Sequence, residues 1–154
     1  AHSERLAVNA QTNSANKGFN LISKYPKMNY ACLDHSEIRL AMHDRISEPA
    51  SLAKKLMEQS KASVVAVTMG HFGSLIVNKD ELFSTPIFSK KVVDTVGAGD
   101  AFFSTTALCV ASGLPLDTIG FIGNVTGALA TTYMGNKLSV TKNMFLNFAK
   151  TLLS

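Results

Sequence analysis

The run Val92-Val93-Asp94-Thr95-Val96-Gly97-Ala98-Gly99-Asp100-Ala101-Phe102-Phe103 constrains this chain more than any other segment. An extended approach leads into a tight Gly-Ala-Gly turn, and an apolar helix follows. Such a turn aims successive backbone N–H groups at one point, at the positive end of a helix dipole. That concavity binds an anion, most often phosphate. Glycine at 97 and 99 admits left-handed backbone angles and the close approach of a ligand. Asp100 then stands beside the anion hole, where a carboxylate is electrostatically awkward unless it has a use. One use is to take the proton from a hydroxyl that attacks a bound phosphoryl group. The plainer reading is a glycine-rich helix start with an acidic first turn.

The stretch Asp94-Thr95-Val96-Gly97-Ala98-Gly99-Asp100 resembles the signature of the ribokinase family, the PfkB-type carbohydrate kinases. The resemblance implies that the N–H groups of Gly97, Ala98 and Gly99 stabilise the transferring phosphoryl group and that Asp100 is the catalytic base. It further implies ATP as donor, Mg²⁺ as its companion and a sugar or sugar-phosphate hydroxyl as acceptor. Some relatives of this fold use ADP and share the signature.

A chain of 154 residues suits a single domain, 1–154, with a real core. Apolar residues make up 46% and charged residues 17%, a balance that excludes a disordered segment. No run approaches the ~18 apolar residues of a membrane helix, so no membrane partner is expected. A secretory leader pattern is missing, and Cys32 and Cys109 sit in apolar stretches without metal-like spacing. Two buried, reduced thiols and a cytoplasmic address follow as expectations. The net charge of +4 favours an anionic partner such as a nucleotide. Its basic residues are scattered and lack an aromatic platform, which argues against nucleic acid. Arg5 to Ala10 already reads as a strand, so the segment is expected to be a piece of a longer chain.

Strands are expected at 5–10, Tyr30 to Asp34 and Ser63 to Thr68, the last a β-branched run suited to burial on both faces. Ser74 to Asn78 and about Phe83 to Phe88 read as a hairpin across Asn78-Lys79-Asp80-Glu81. Helices are expected from about Lys17 to Lys24, from Ser36 to His43, from Pro49 through Met57, and over about 98–112, 115–133 and 141–153, with Gly113 and Gly135 as stops. Strands alternating with helices give an α/β layered fold. With the resemblance, this becomes the C-terminal half of a ribokinase-like helix–sheet–helix sandwich around a mostly parallel sheet.

Three further places carry chemistry. Thr68-Met69-Gly70-His71-Phe72-Gly73 follows the most hydrophobic strand, where ligands bind in doubly wound folds. It reads as a plain hairpin entry or, by resemblance to the family's Thr-x-Gly-x-x-Gly stretch, as a segment whose Thr68, Gly70 and Gly73 lie along a nucleotide. His71 and Phe72 read as loop surface. Asp34-His35-Ser36-Glu37 stands where the resembled family holds Asn-x-x-Glu and arranges Mg²⁺. A carboxylate pair at this spacing holds Mg²⁺ through water or forms a helix capping box, and the two are compatible. Asn124, in a helix of small residues, packs tightly against the sheet or, by resemblance, lines an adenine pocket. Asp94, Val96, Gly135 and Ser139 fall, by resemblance, where many members hold a monovalent cation such as K⁺. The amide-rich loop from Gln11 to Asn20 is either simply solvated or in contact with a ligand, and it looks closest to heptose-phosphate-kinase-like members.

The resemblance covers nearly the whole chain, but only the C-terminal half of such a kinase. The sugar-binding Asp, the Gly-Gly segment and the lid of the N-terminal half have no counterpart here. The expected function is therefore the nucleotide and catalytic-base half of a carbohydrate kinase, inactive alone and prone to homo-oligomerise. The alternative is a non-catalytic nucleotide-binding or assembly module.

Overall fold

The computed structural model describes residues 5–10, 18–88, 95–132 and 139–154. Its strands are β1 (Ala7–Asn9), β2 (Tyr30–Asp34), β3 (Val64–Thr68), β4 (Ser74–Val77) and β5 (Leu82–Thr85). They form one sheet in the order β1-β2-β3-β4-β5. The pairs β1–β2 and β2–β3 are parallel, while β3–β4 and β4–β5 are antiparallel. Four strands therefore point one way and β4 alone runs against them. The helices are α1 (His35–Ala41), α2 (Pro49–Ser60), α3 (Ala98–Ala111), α4 (Leu116–Ala130) and α5 (Lys142–Leu153).

Alternation along the strands builds two cores, because successive side chains point to opposite faces. Ala31, Leu33, Val65, Val67, Leu75 and Val77 face α1 and α2 and close around Ile38, Leu52 and Leu56. Tyr30, Cys32, Ala66 and Ile76 face the other way and close around Phe102, Leu116 and Ile119. The central strands are thus apolar on both faces, as their sequence requires. In the second core the Tyr30 hydroxyl meets Thr106 Oγ1 at 2.7 Å, which gives a buried polar pair its partner. Burial pushes the Cys32 thiol up to about 12 and raises Tyr30 and Cys109 as well.

Two expectations are corrected. The helix expected from Lys17 to Lys24 is, within the described residues, only a 3-10 turn over Ile22–Lys24. Gly18 takes a left-handed φ of +84° and Leu21 is extended, so no helix can run through them. The fully buried Ile22 anchors the segment to the core. The strand expected over Phe83 to Phe88 ends at Thr85, because Pro86 has no N–H to give the ladder. Lys17 itself, residues 11–16 of the amide-rich loop, and Gly135 lie outside the described residues.

Candidate functional site

Strand register sets a polar row at one edge of the sheet. Asp34 lies opposite Thr68, Thr68 opposite Ser74, and Ser74 opposite Thr85. The two parallel strands end there, and a cleft of about 950 Å³ opens above them. Asp34, Thr68, Gly70 and Gly73 line its sheet side, Ala98 and Gly99 its α3 side, and Asn124 its α4 side. Seven of the residues singled out in the sequence thus share one space. Gly97, Asp100, Glu37, Val96 and Ser139 are not among its lining residues. Val96 and Ser139 are exposed, and Asp94 lies outside the described residues.

At the start of α3, Gly97 is the N-cap, with φ +83°. The Ala98 N–H closes a turn on the Thr95 carbonyl at 3.2 Å, and Ala101 N–H donates to the Gly97 carbonyl at 2.9 Å. The left-handed conformation expected at both glycines therefore falls on Gly97 alone, since Gly99 is already helical. The role of Gly99 is spatial. A Cβ built there meets no atom within 4 Å, so the position opens directly onto the cleft. Asp100 is the third residue of the helix, exposed, in the first turn where the dipole favours a carboxylate.

Asp34 and Glu37 form the capping box that their spacing allows. Asp34 Oδ1 accepts from Ser36 N at 2.7 Å, Ser36 Oγ at 2.6 Å and Glu37 N at 2.8 Å. Glu37 Oε2 accepts from Asp34 N at 2.8 Å. Asp34 Oδ2 takes no hydrogen bond among the described residues, and that atom is available at the cleft. Among the described residues no group of three or more His, Cys, Asp or Glu side chains gathers to ligate a metal directly. A cation here would be held through water, on Asp34 and Glu37.

Gly73, at φ +91°, is pinned between cleft and sheet, because a Cβ would lie 2.0 Å from the Thr85 carbonyl oxygen. Along α4, a Cβ on Gly120 would meet Thr85 Oγ1 at 2.3 Å, and one on Gly123 would meet the Phe102 ring at 2.5 Å. Of the two readings of this helix, the tight packing is observed. It packs closely, and it presents Asn124 at the cleft. The Asn124 Nδ2 donates to Ser74 Oγ at 2.5 Å and to the Gly120 carbonyl at 2.8 Å. Its carbonyl oxygen has no partner among the described residues.

Sequence reasoning missed several lining residues: Thr95, His71, Gly127, Ala128 and Thr131. His71 lines the cleft with its ring against Phe72, at a centroid distance of 3.9 Å. Continuing the Asn124 face of its helix by three, four and seven residues would have found Gly127, Ala128 and Thr131.

Comparison with known proteins follows the same lines. The family model for pfkB family carbohydrate kinase matches residues 8–143. The 2-dehydro-3-deoxygalactonokinase of Haloferax volcanii is 29% identical over 119 residues, covering 77% of this chain and 37% of that protein. The bifunctional protein HldE of Helicobacter acinonychis is 27% identical over 144 residues, covering 86% of this chain and 31% of that protein. Among solved structures, phosphofructokinase-2 from Escherichia coli in complex with potassium superposes with a TM-score of 0.79. The match has 20% identity and covers 97% of this chain and 48% of that one. Ribokinase from Thermotoga maritima superposes with a TM-score of 0.70 at 27% identity, over 80% of this chain and 42% of that one. The chain therefore spans about a third to a half of the length of these relatives.

Proposed function

The chain belongs to the pfkB family of carbohydrate kinases, and on that premise we propose that it supplies the nucleotide site, the anion hole and the catalytic base for transfer of a phosphoryl group from ATP to a hydroxyl of a sugar or sugar phosphate. The observation that carries this reading is the single cleft of about 950 Å³. It joins the ends of two parallel strands, the Gly70–Gly73 turn, the start of α3 and Asn124.

The nucleotide base lies against the Gly70 turn and α4. There the Asn124 carbonyl oxygen, its amide nitrogen already donating to Ser74 and Gly120, accepts from an exocyclic amine. The phosphates run toward Gly99, where the missing side chain leaves open space. Backbone donors at the start of α3 and the helix dipole stabilise the charge that develops on the transferring group. Gly97 and Gly99 N–H take no partner among the described residues, whereas Ala98 N–H already serves the turn on Thr95. Asp100 takes the proton of the acceptor hydroxyl. Asp34 and Glu37 would hold Mg²⁺ through water, and the ion would supply charge neutralisation at the phosphates. A monovalent cation beside the turn, near Val96 and Ser139, belongs to the same proposal.

A second reading is a nucleotide-binding or assembly module without turnover. That Asp100 is not among the residues lining the cleft favours it. One pair of measurements separates the two. ATP should bind the protein in calorimetry, and Asp100→Asn in the native protein should lower kcat by about 10²–10⁴ with nucleotide affinity retained. Full turnover in Asp100→Asn would remove the base assignment. A native protein that binds ATP and turns over no sugar would favour the module.

A further inference from the structure

Nothing in the local sequence marks Ser74, the first residue of β4. It is fully buried, and in the polar row it stands between Thr68 and Thr85. A hydroxyl removed from water needs a partner. That partner is on α4, fifty positions away, where Asn124 Nδ2 donates to Ser74 Oγ at 2.5 Å. Close packing makes the reach possible. A Cβ on Gly120 would stand 2.3 Å from Thr85 Oγ1, so α4 lies tight against the sheet at this level.

The two ends of a primary amide are nearly equal in size, and hydrogen bonds decide which end faces which way. The Gly120 carbonyl can only accept, so it holds the amide nitrogen, at 2.8 Å. That bond uses one N–H and leaves the group free to swing about it. Ser74 Oγ takes the second N–H and removes the swing. Both donors are then spent on the protein, and the oxygen is what remains for a ligand. Among the described residues the buried side-chain polar atoms without a partner are Arg39 Nη1 and Thr85 Oγ1. Asn124 Oδ1 also takes no hydrogen bond there but is not one of them, so it keeps accessible surface, and Asn124 lines the cleft.

We propose that Ser74 is a positioning residue that fixes the Asn124 amide with its oxygen toward the cleft, and so makes the site select a nucleotide base that carries an exocyclic amine. This inference rests on the nucleotide reading of the cleft. A 6-amino purine donates to the fixed oxygen. The same purine with hydrogen at that position leaves the oxygen unpaired. Without Ser74 the amide has a spare N–H, turns, and offers donor and acceptor alike, so the preference disappears.

The test compares ATP with purine riboside 5′-triphosphate, which lacks only the amine, by calorimetry on the native protein. ATP should bind about three- to tenfold more tightly. Ser74→Ala should bring ATP down to the affinity of the analogue and leave the analogue unchanged, which a general distortion of the cleft would not do. Ser74→Cys fills nearly the same space with a weaker acceptor and should lower the preference too, so the result does not hang on the folding of one variant. Asn124→Ala should abolish the preference, and adding Ser74→Ala to it should not change the ratio further. A full preference in both Ser74 variants, or an equal loss for both ligands, would overturn the positioning role and leave the nucleotide site standing. A native protein that binds ATP no better than the analogue would overturn selection through Asn124. Binding of neither triphosphate would remove the nucleotide reading, and this proposal with it.

Discussion

Gly99 and Cys32 show how much a single position decides. A side chain at Gly99 strains nothing, since the backbone is helical and the space open. Gly99→Val is therefore expected to fold normally and to weaken ATP far more than adenosine, because only a triphosphate reaches the start of α3 in the proposed pose. Calorimetry with both ligands checks it, and equal losses would count against that pose. A side chain at Gly97, by contrast, must take a φ of +83°, which costs about 1–3 kcal/mol before any ligand is present. Cys32 makes a prediction about pH. Burial holds its folded value near 12, above the ~8.5 of an unfolded thiol. Its contribution is complete below about pH 8.5 and is lost as pH rises from there toward 12, because only the unfolded chain then releases the proton. Buried Tyr30 shifts the same way and adds to the loss above about pH 10. Urea midpoints should fall between pH 8 and 10, and Cys32→Ala should flatten that slope. An equal slope in the variant would exclude Cys32 as a source.

At the scale of elements, the close contacts sit where the cleft is built. Gly73→Ala must push Cβ into the Thr85 carbonyl at a left-handed φ, so β4 can no longer start where it does. A loss of about 2 kcal/mol or more in chemical denaturation is expected, together with loss of nucleotide binding. A fully stable Gly73→Ala would show that the hairpin entry adjusts freely. Strand β3 was legible as a β-branched run and β2 as a short apolar run, and helices α3, α4 and α5 were legible from their apolar length and flanking turn residues. Pro86 and Gly18 were also visible, but their effect on β5 and on the Lys17–Lys24 segment was underweighted. The meeting of Asp34, Thr68, Gly99 and Asn124 was legible only through the signature's resemblance, since no local pattern says that four distant segments share a cleft. His71 is exposed in its loop, as read from the sequence, and its place at the cleft mouth is what one dimension does not show.

For the whole molecule, the decisive quantity is how much of a kinase is here. Relatives are two to three times longer than the stretch this chain matches. β1 and β5 are the outer strands of the described sheet, and Leu6, Leu82 and Phe83 are substantially exposed at them. Such edges recruit further chain or a second copy. Phosphoryl transfer requires donor and acceptor to be held together, and orientation alone supplies about 7–11 kcal/mol of a barrier. In the proposed reading the cleft residues hold the donor and Asp100 accepts the proton, and no residue of the cleft has a role toward the sugar. Residues 1–154 on their own are therefore expected to bind ATP weakly, to self-associate, and to release ADP no faster with a panel of sugars and sugar phosphates than without. Sedimentation and a coupled ADP assay measure both properties on the same sample. A well-behaved monomer with sugar-dependent turnover would mean that the acceptor site lies within these residues, and the division of labour between donor half and acceptor half would have to be abandoned.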